Sequence, residues 1–254
     1  MKRNLKREIP ILMYHQFVKK NKNTKIKTFV TEKQFELHLK ILKVLGYETI
    51  TFKELLKIGL ENRFDKKYII ITVDDGYKNN YEIMYPLLKK YNMKAVIYLV
   101  SGFKYNVWDV EEFGEEKLYL LNENEIKEMK NSKLIEFGGH TLTHPNLQKL
   151  NYEEIEKEIV ENKKNLEEKY GINLISFAYP YGKLTEEVKE VVKNSGYKFA
   201  VSTCTGLGKI ENDLYEIRRT AIDKTSIIDF LRKINRKYSI YKGEKWEKKL
   251  NETK

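Results

Sequence analysis

Apolar residues in this chain follow two alternating rhythms. Short, nearly continuous runs occur at residues 11–14, 69–73, 95–100 and 175–179, and less regular β-rich runs at 135–137, 199–202 and 216–222. Runs of that length and residue type predict strands, and the unbroken ones predict strands covered by helices on both faces. Between them the spacing lengthens to about 3.6 residues. Phe35, Leu39, Leu42 and Leu45 mark one amphipathic helix, and Ile155, Ile159, Val160 and Leu166 another. Further helices are predicted over 52–60, 80–91, 123–129, 185–194 and 226–238, with Gly46, Gly171 and Gly196 just past helix ends. Strand–helix alternation implies an α/β protein with a parallel sheet and right-handed crossovers. About seven such units predict a single-domain, distorted (β/α) barrel over residues 9–240. A basic segment, 1–8, precedes it, and a Lys-rich tail, 241–254, follows, with Trp246 as a candidate anchor.

Composition narrows this picture a little. The 254 residues are 41% hydrophobic and 33% charged, which excludes collagen-like and wholly disordered classes. The formal charge of +11 invites a nucleic-acid reading, but the lysines are interleaved with glutamates along predicted helices and no recognition signature accompanies them. No nucleic-acid partner is expected, and oligomeric state is not legible. Cys204 is the only cysteine, so an internal disulfide and an all-cysteine metal site are both excluded. Cys204 itself reads as a small buried apolar residue. No signal-peptide core and no run of eighteen apolar residues is visible, so the chain as written reads as unexported, as it also would with a leader removed.

Chemistry concentrates at three predicted strand ends. Asp74-Asp75-Gly76 closes the second run, placing two acids where barrel enzymes assemble their sites. Adjacent carboxylates near a core need cations or strong hydrogen bonds to stay ionised; in water the same triplet is an ordinary turn. His140 and His144 follow the run at 135–137, and in a helical turn they face one way. Two imidazoles and a carboxylate form a reasonable open site for zinc or a similar divalent ion. A third strand ends in Ala178-Tyr179-Pro180-Tyr181-Gly182.

In that order the three segments resemble the first three motifs of the polysaccharide deacetylases with a NodB-homology domain, carbohydrate esterase family four. The resemblance spans roughly residues 9–222. It implies hydrolysis of N-acetyl groups on an amino-sugar polysaccharide or oligosaccharide. It implies a metal, Zn2+ first and Co2+ or Ni2+ next, on Asp75, His140 and His144. By the same resemblance Asp74 is the general base, the Tyr181 backbone N–H helps the oxyanion, and Tyr179 and Pro180 shape the acetyl pocket.

Two departures accompany the match. Ala178 stands where many relatives have an arginine that orients the catalytic aspartate, and no histidine follows His144. His15, at the end of the first predicted strand, is placed to reach the same rim, whereas His38 reads as a helix-surface imidazole. An early Tyr-His pair supplying the general acid resembles the branch that deacetylates poly-β-1,6-N-acetylglucosamine. The alternative for His15 is a structural histidine. Arg219 is the candidate for the missing arginine, against an exposed cation. Trp108, in a loop-like segment, is the candidate sugar platform, against a packing role. A catalytically silent carbohydrate-binding relative and an amidohydrolase acting on small or lipid-linked amides are the competing functional readings.

Overall fold

The computed structural model describes residues 9–21, 24–26, 28–60, 66–203, 210 and 213–235. In chain order the elements are β1 (Ile11–Tyr14), β2 (Gln16–Val18), β3 (Phe29–Thr31), α1 (Glu32–Val44), β4 (Tyr47–Thr49), α2 (Phe52–Ile58) and β5 (Lys67–Val73). Then follow α3 (Tyr85–Tyr91), β6 (Ala95–Leu99), α4 (Val107–Phe113), α5 (Glu123–Asn131), β7 (Ile135–Gly139) and α6 (Tyr152–Tyr170). The chain ends with β8 (Ser176–Ala178), α7 (Glu186–Asn194), β9 (Phe199–Val201), β10 (Thr220–Ala221) and α8 (Ile227–Ile234).

The main sheet runs β10-β1-β5-β6-β7-β8-β9, every pairing parallel, with β4 added along the start of β5. A single parallel bridge, Val201 to Ile217, draws the two edges together, because the segment from Ile217 to Ala221 pairs with β9 at one end and β1 at the other. The distorted barrel with seven parallel strands expected from the alternation is therefore the observed architecture. Two apolar layers fit it. Ile70, Val96, Tyr98, Ala178, Phe199 and Val201 pack together on one face of the sheet. Leu12, Ile71, Ile97, Phe137 and Phe177 point the other way and take the helices. Strand alternation makes this possible only because both faces are apolar.

Helix starts are strongly specified by sequence. Thr31, Thr51, Asn122 and Asn151 each close a capping box with the Gln or Glu three residues on, which satisfies two orphan amides reciprocally. At the other end Gly171 takes the left-handed conformation (φ 57°) that terminates α6.

The differences from expectation are instructive. Strands β2, β3 and β4, three residues each, are too short to show a period. The predicted strand over 216–222 is reduced to Thr220–Ala221 plus the bridge at Ile217. The helix expected over 80–91 begins as a π turn, Asn80–Met84, before α3, and Val160 is exposed while Asn162 takes the buried place on the α6 stripe. Helix α4 replaces the loop expected around Trp108. Cys204, Trp246 and the 241–254 tail lie outside the described residues. Among the described residues no helix is long and apolar enough to cross a membrane.

His38 is also corrected. It lies on α1 as expected, but its imidazole is buried, stacked on Phe230 at 3.9 Å and within 3.2 Å of the Tyr14 hydroxyl. Helix α8 covers the face that a single-helix reading leaves open. Burial, assisted by Lys233, pushes its pKa from 6.5 to about 4. Between those values the unfolded chain binds a proton that the folded chain does not. The stability is therefore complete above pH 6.5 and is lost progressively as pH falls towards 4. The full span amounts to roughly 3 kcal/mol. Urea unfolding at pH 7 and pH 4.5 should show a steeper acid loss for wild type than for His38→Phe, and parallel losses would contradict this.

Candidate active site

The rim is built first from β5. Its last residue, Val73, leads into Asp74 and Asp75, both buried, with Asp75 in the left-handed region at φ 73°. Aspartate tolerates that conformation better than most residues. Asp74 receives a bidentate pair from Arg219, whose terminal nitrogens lie 2.6 and 2.7 Å from Oδ1 and Oδ2. Arg219 is wholly buried; it also donates to Thr72 Oγ1 at 3.0 Å and, through Nε, to the Ser202 carbonyl at 3.0 Å. Its guanidinium lies over the Tyr98 ring. Burial works against a charged Asp74, but the guanidinium outweighs it and holds the carboxyl below its ordinary range. A planar fork matched to a carboxylate is the geometry that makes arginine, rather than lysine, suitable here. Arg219 is not an exposed cation.

On the other side of Asp74, His15 Nε2 approaches Oδ2 at 3.8 Å. The neighbouring backbone is fixed by Asn80, which is buried in the first turn of the π segment and donates to the His15 carbonyl at 2.9 Å. Short π segments recur at functional positions because they redirect one side chain without breaking the helix. Strand β1 pairs with both β5 and β10; His15 and Asp74 follow the carboxyl ends of β1 and β5, while Arg219 stands just before β10, at the amino end, and its long side chain reaches Asp74 from there.

His140 and His144 follow β7, and their Nε2 atoms lie 3.3 and 3.4 Å from Asp75 Oδ1. One ligand-type atom from each of the three residues falls within 4.8 Å of the others. The helical turn expected between the histidines is instead a strained loop, with Thr141 at φ 66° and His144 at φ 62°. For a β-branched residue this costs about 1–3 kcal/mol and needs external support. That support is on hand. Thr141 Oγ1 donates to the His140 carbonyl at 2.5 Å and accepts from the His144 amide at 2.9 Å, while Glu158 accepts from the Thr143 amide and hydroxyl. Asn162 ties the loop to the sheet, donating to the Thr141 and Leu99 carbonyls and accepting from the His140 amide. Gly139 permits the approach: a Cβ there would meet the Tyr197 hydroxyl at 2.1 Å and Asn162 Oδ1 at 2.8 Å.

The donor set fits a divalent cation. Asp75 Oδ1 is buried, faces both imidazoles and has no hydrogen-bond partner among the described residues. The His140 Nδ1 bond to the Ala178 carbonyl, 2.6 Å, places its proton on Nδ1 and leaves Nε2 as the lone-pair donor. Burial alone would raise the Asp75 carboxyl, yet the two imidazoles and His15 hold it well below the carboxylate range. Burial pushes the His144 imidazole below its ordinary value, towards the neutral form that ligates.

With this geometry in place, likeness to known proteins decides the family. Residues 61–200 match the family described as polysaccharide deacetylase. The chain belongs to that family. The Bacillus subtilis (strain 168) protein YxkH, named for polysaccharide deacetylase activity, is 31% identical over 85% of this chain and 71% of its own length. A poly-β-1,6-N-acetyl-D-glucosamine N-deacetylase of Staphylococcus aureus (strain MRSA252) is 31% identical over 68% of this chain and 60% of its own. The deacetylase PplD of Streptococcus pyogenes, solved with acetate, superposes with a TM-score of 0.76, covering 90% of this chain and 98% of that one at 27% identity. The Bacillus cereus polysaccharide deacetylase BC0361 gives 0.73 at 30% identity, covering 90% and 69%.

The remaining side chains of this deacetylase sort into different surroundings. Tyr181, at φ 56°, sets its ring edge-on to His144 at 4.8 Å and remains partly exposed. Pro180 is buried at the start of the same short turn. Tyr179 departs from the expected acetyl-pocket role. Its ring belongs to the helix-facing apolar layer, and its hydroxyl donates to the Tyr215 carbonyl at 2.8 Å. Trp108 departs from the sugar-platform reading. It is nearly buried, and its ring stacks on His144 at 4.4 Å. Asn80 and Asn162 were not singled out by motif. Asn162 was nevertheless detectable, because it interrupts the apolar stripe Ile155, Ile159, Leu166 at the position where an aliphatic residue belongs.

Proposed function

We propose that the chain is a metal-dependent N-acetylglucosamine polysaccharide deacetylase whose catalytic domain covers residues 9–240 and whose preferred substrate is a β-1,6-linked polymer. The observation that carries this reading is the meeting of the His15, Asp74 and Arg219 side chains beside Asp75, His140 and His144. The named activity of the staphylococcal relative supplies the substrate class. That relative is the longer protein, and the chain spans 60% of it.

Asp75, His140 and His144 would hold the cation, Zn2+ first, with Co2+ or Ni2+ as substitutes. When bound, it supplies Lewis acidity towards the amide carbonyl and towards water. Asp74 then takes the proton as water attacks the acetyl carbon, and Arg219 keeps its carboxylate charged and aimed. The carbon–nitrogen bond breaks as His15 gives its proton to the departing nitrogen, leaving acetate and a free amine. The Tyr181 backbone N–H serves the developing oxyanion, and Pro180 shapes the turn that presents it.

Acetate release from defined β-1,6 and β-1,4 N-acetylglucosamine oligomers and small acetamides, after chelation and after metal return, tests the reading. The β-1,6 oligomers should be deacetylated fastest, and only with metal. Elemental analysis of His140→Ala should show the metal lost together with turnover. Full occupancy in that variant would remove His140 from the ligand set.

A further inference from the structure

The two imidazoles of the metal cluster are held by different means. His140 has its second nitrogen tied to the Ala178 carbonyl, whereas His144 Nδ1 is buried with no hydrogen-bond partner among the described residues. Metal-ligating histidines almost always use that second nitrogen to fix the ring. His144 is fixed by aromatic faces instead. Trp108 lies nearly parallel to it, with centroids 4.4 Å apart and planes at 26°, and Tyr181 meets it edge-on at 4.8 Å and 66°. The strained His144 backbone adds no hydrogen bond at the ring, so removing the stack frees the imidazole to turn.

Trp108 is itself placed by the opposite side of the site. Tyr77, two residues beyond Asp75, is fully buried and donates its hydroxyl to Asp109 Oδ2 at 2.5 Å. Asp109 is the next residue after Trp108 in the first turn of α4, and Asn106 donates to the same oxygen at 3.2 Å. Tyr77 and Trp108 also share a small apolar cluster with Val100 and Leu120. The aspartate ligand and the second histidine ligand are thus connected through a helix that ligates nothing.

We propose that Trp108 is a positioning residue for the metal ligand His144, its indole face doing the work of the absent ring hydrogen bond, with the Tyr77–Asp109 bond setting the helix that carries it. The inference rests on the metal reading given under the proposed function. A side chain with one face against His144 and little exposed surface is poorly placed to carry a sugar ring.

Metal affinity, measured with zinc against a chelating indicator and with cobalt by its visible absorption, tests this without reference to turnover. Trp108→Ala should weaken affinity by about 10–100-fold and alter the cobalt spectrum, the range typical of lost outer support. Trp108→Phe should recover most of the loss, since a ring face remains. Tyr77→Phe, which deletes one hydroxyl, should shift affinity the same way by less. Wild-type affinity in Trp108→Ala, together with a raised KM for glycan at saturating metal, would mean a sugar platform and overturn the proposal. If circular dichroism shows Trp108→Ala unfolded, Tyr77→Phe decides, and wild-type affinity and spectrum there overturn it. A wild-type protein that binds neither ion sinks the metal reading itself, which is a different result from equal affinities in wild type and variant.

Discussion

Asp74→Asn should lower deacetylation by about 10²–10⁴-fold while the metal stays bound. The rate loss follows from the assigned role: an amide at this position cannot accept the proton of the attacking water. Metal retention follows from the separation of duties, since Asp75, not Asp74, faces the imidazoles. The same substitution leaves the guanidinium of Arg219 buried without its carboxylate. Breaking one side of a buried ion pair typically costs about 3–5 kcal/mol, more than deleting both charges together. Denaturant midpoints should therefore fall for Asp74→Asn and recover in part when Arg219→Met is added, while activity does not return. Metal content distinguishes the assignment: loss of the ion from Asp74→Asn would exchange the roles of the two aspartates.

His15→Ala is expected to keep fold and metal and to lose most turnover on acetamides, again within about 10²–10⁴-fold. An amine leaves poorly unless protonated, and the other imidazoles of the cluster face Asp75 as candidate ligands. His38, the only remaining histidine, is enclosed between Tyr14 and Phe230. The informative comparison is an acetate ester with a good leaving group, which needs little protonation. The ratio of ester to amide turnover should rise sharply in His15→Ala. An unchanged ratio with an unchanged amide rate would remove His15 from the mechanism and return it to a structural role.

Much of this was legible from the chain alone, for identifiable reasons. The barrel could be read because its strands are buried on both faces and so appear as unbroken apolar runs, alternating with segments of helical period. The carboxylates and histidines could be read because they lie at strand ends in contiguous motifs. Arg219 could be suggested only through a missing partner at Ala178, since its meeting with Asp74 depends on how β10 docks on β1. His38, read as a surface imidazole, and Trp108, read as a sugar platform against a packing role, share a common difficulty. Each lies in a segment whose own pattern looks exposed, and each is covered by a distant element, His144 in one case and α8 in the other. Asn80 acts through a backbone carbonyl, which no residue pattern records, whereas Asn162 shows in the sequence only as a break in the apolar stripe of α6.

The bridge between Val201 and Ile217 closes the sheet through the segment that carries Arg219. By His144 the emerging chain already carries every candidate ligand, but the cation that Asp74 requires arrives only with the last strand. A chain cut between the bridge and Arg219 would leave the candidate ligands beside a buried, uncompensated carboxylate, which must then take up a proton or open the barrel. The residues that would hold an ion and the cation that steadies Asp74 are thus supplied by distant stretches of sequence, and the second comes only with the docking of β10.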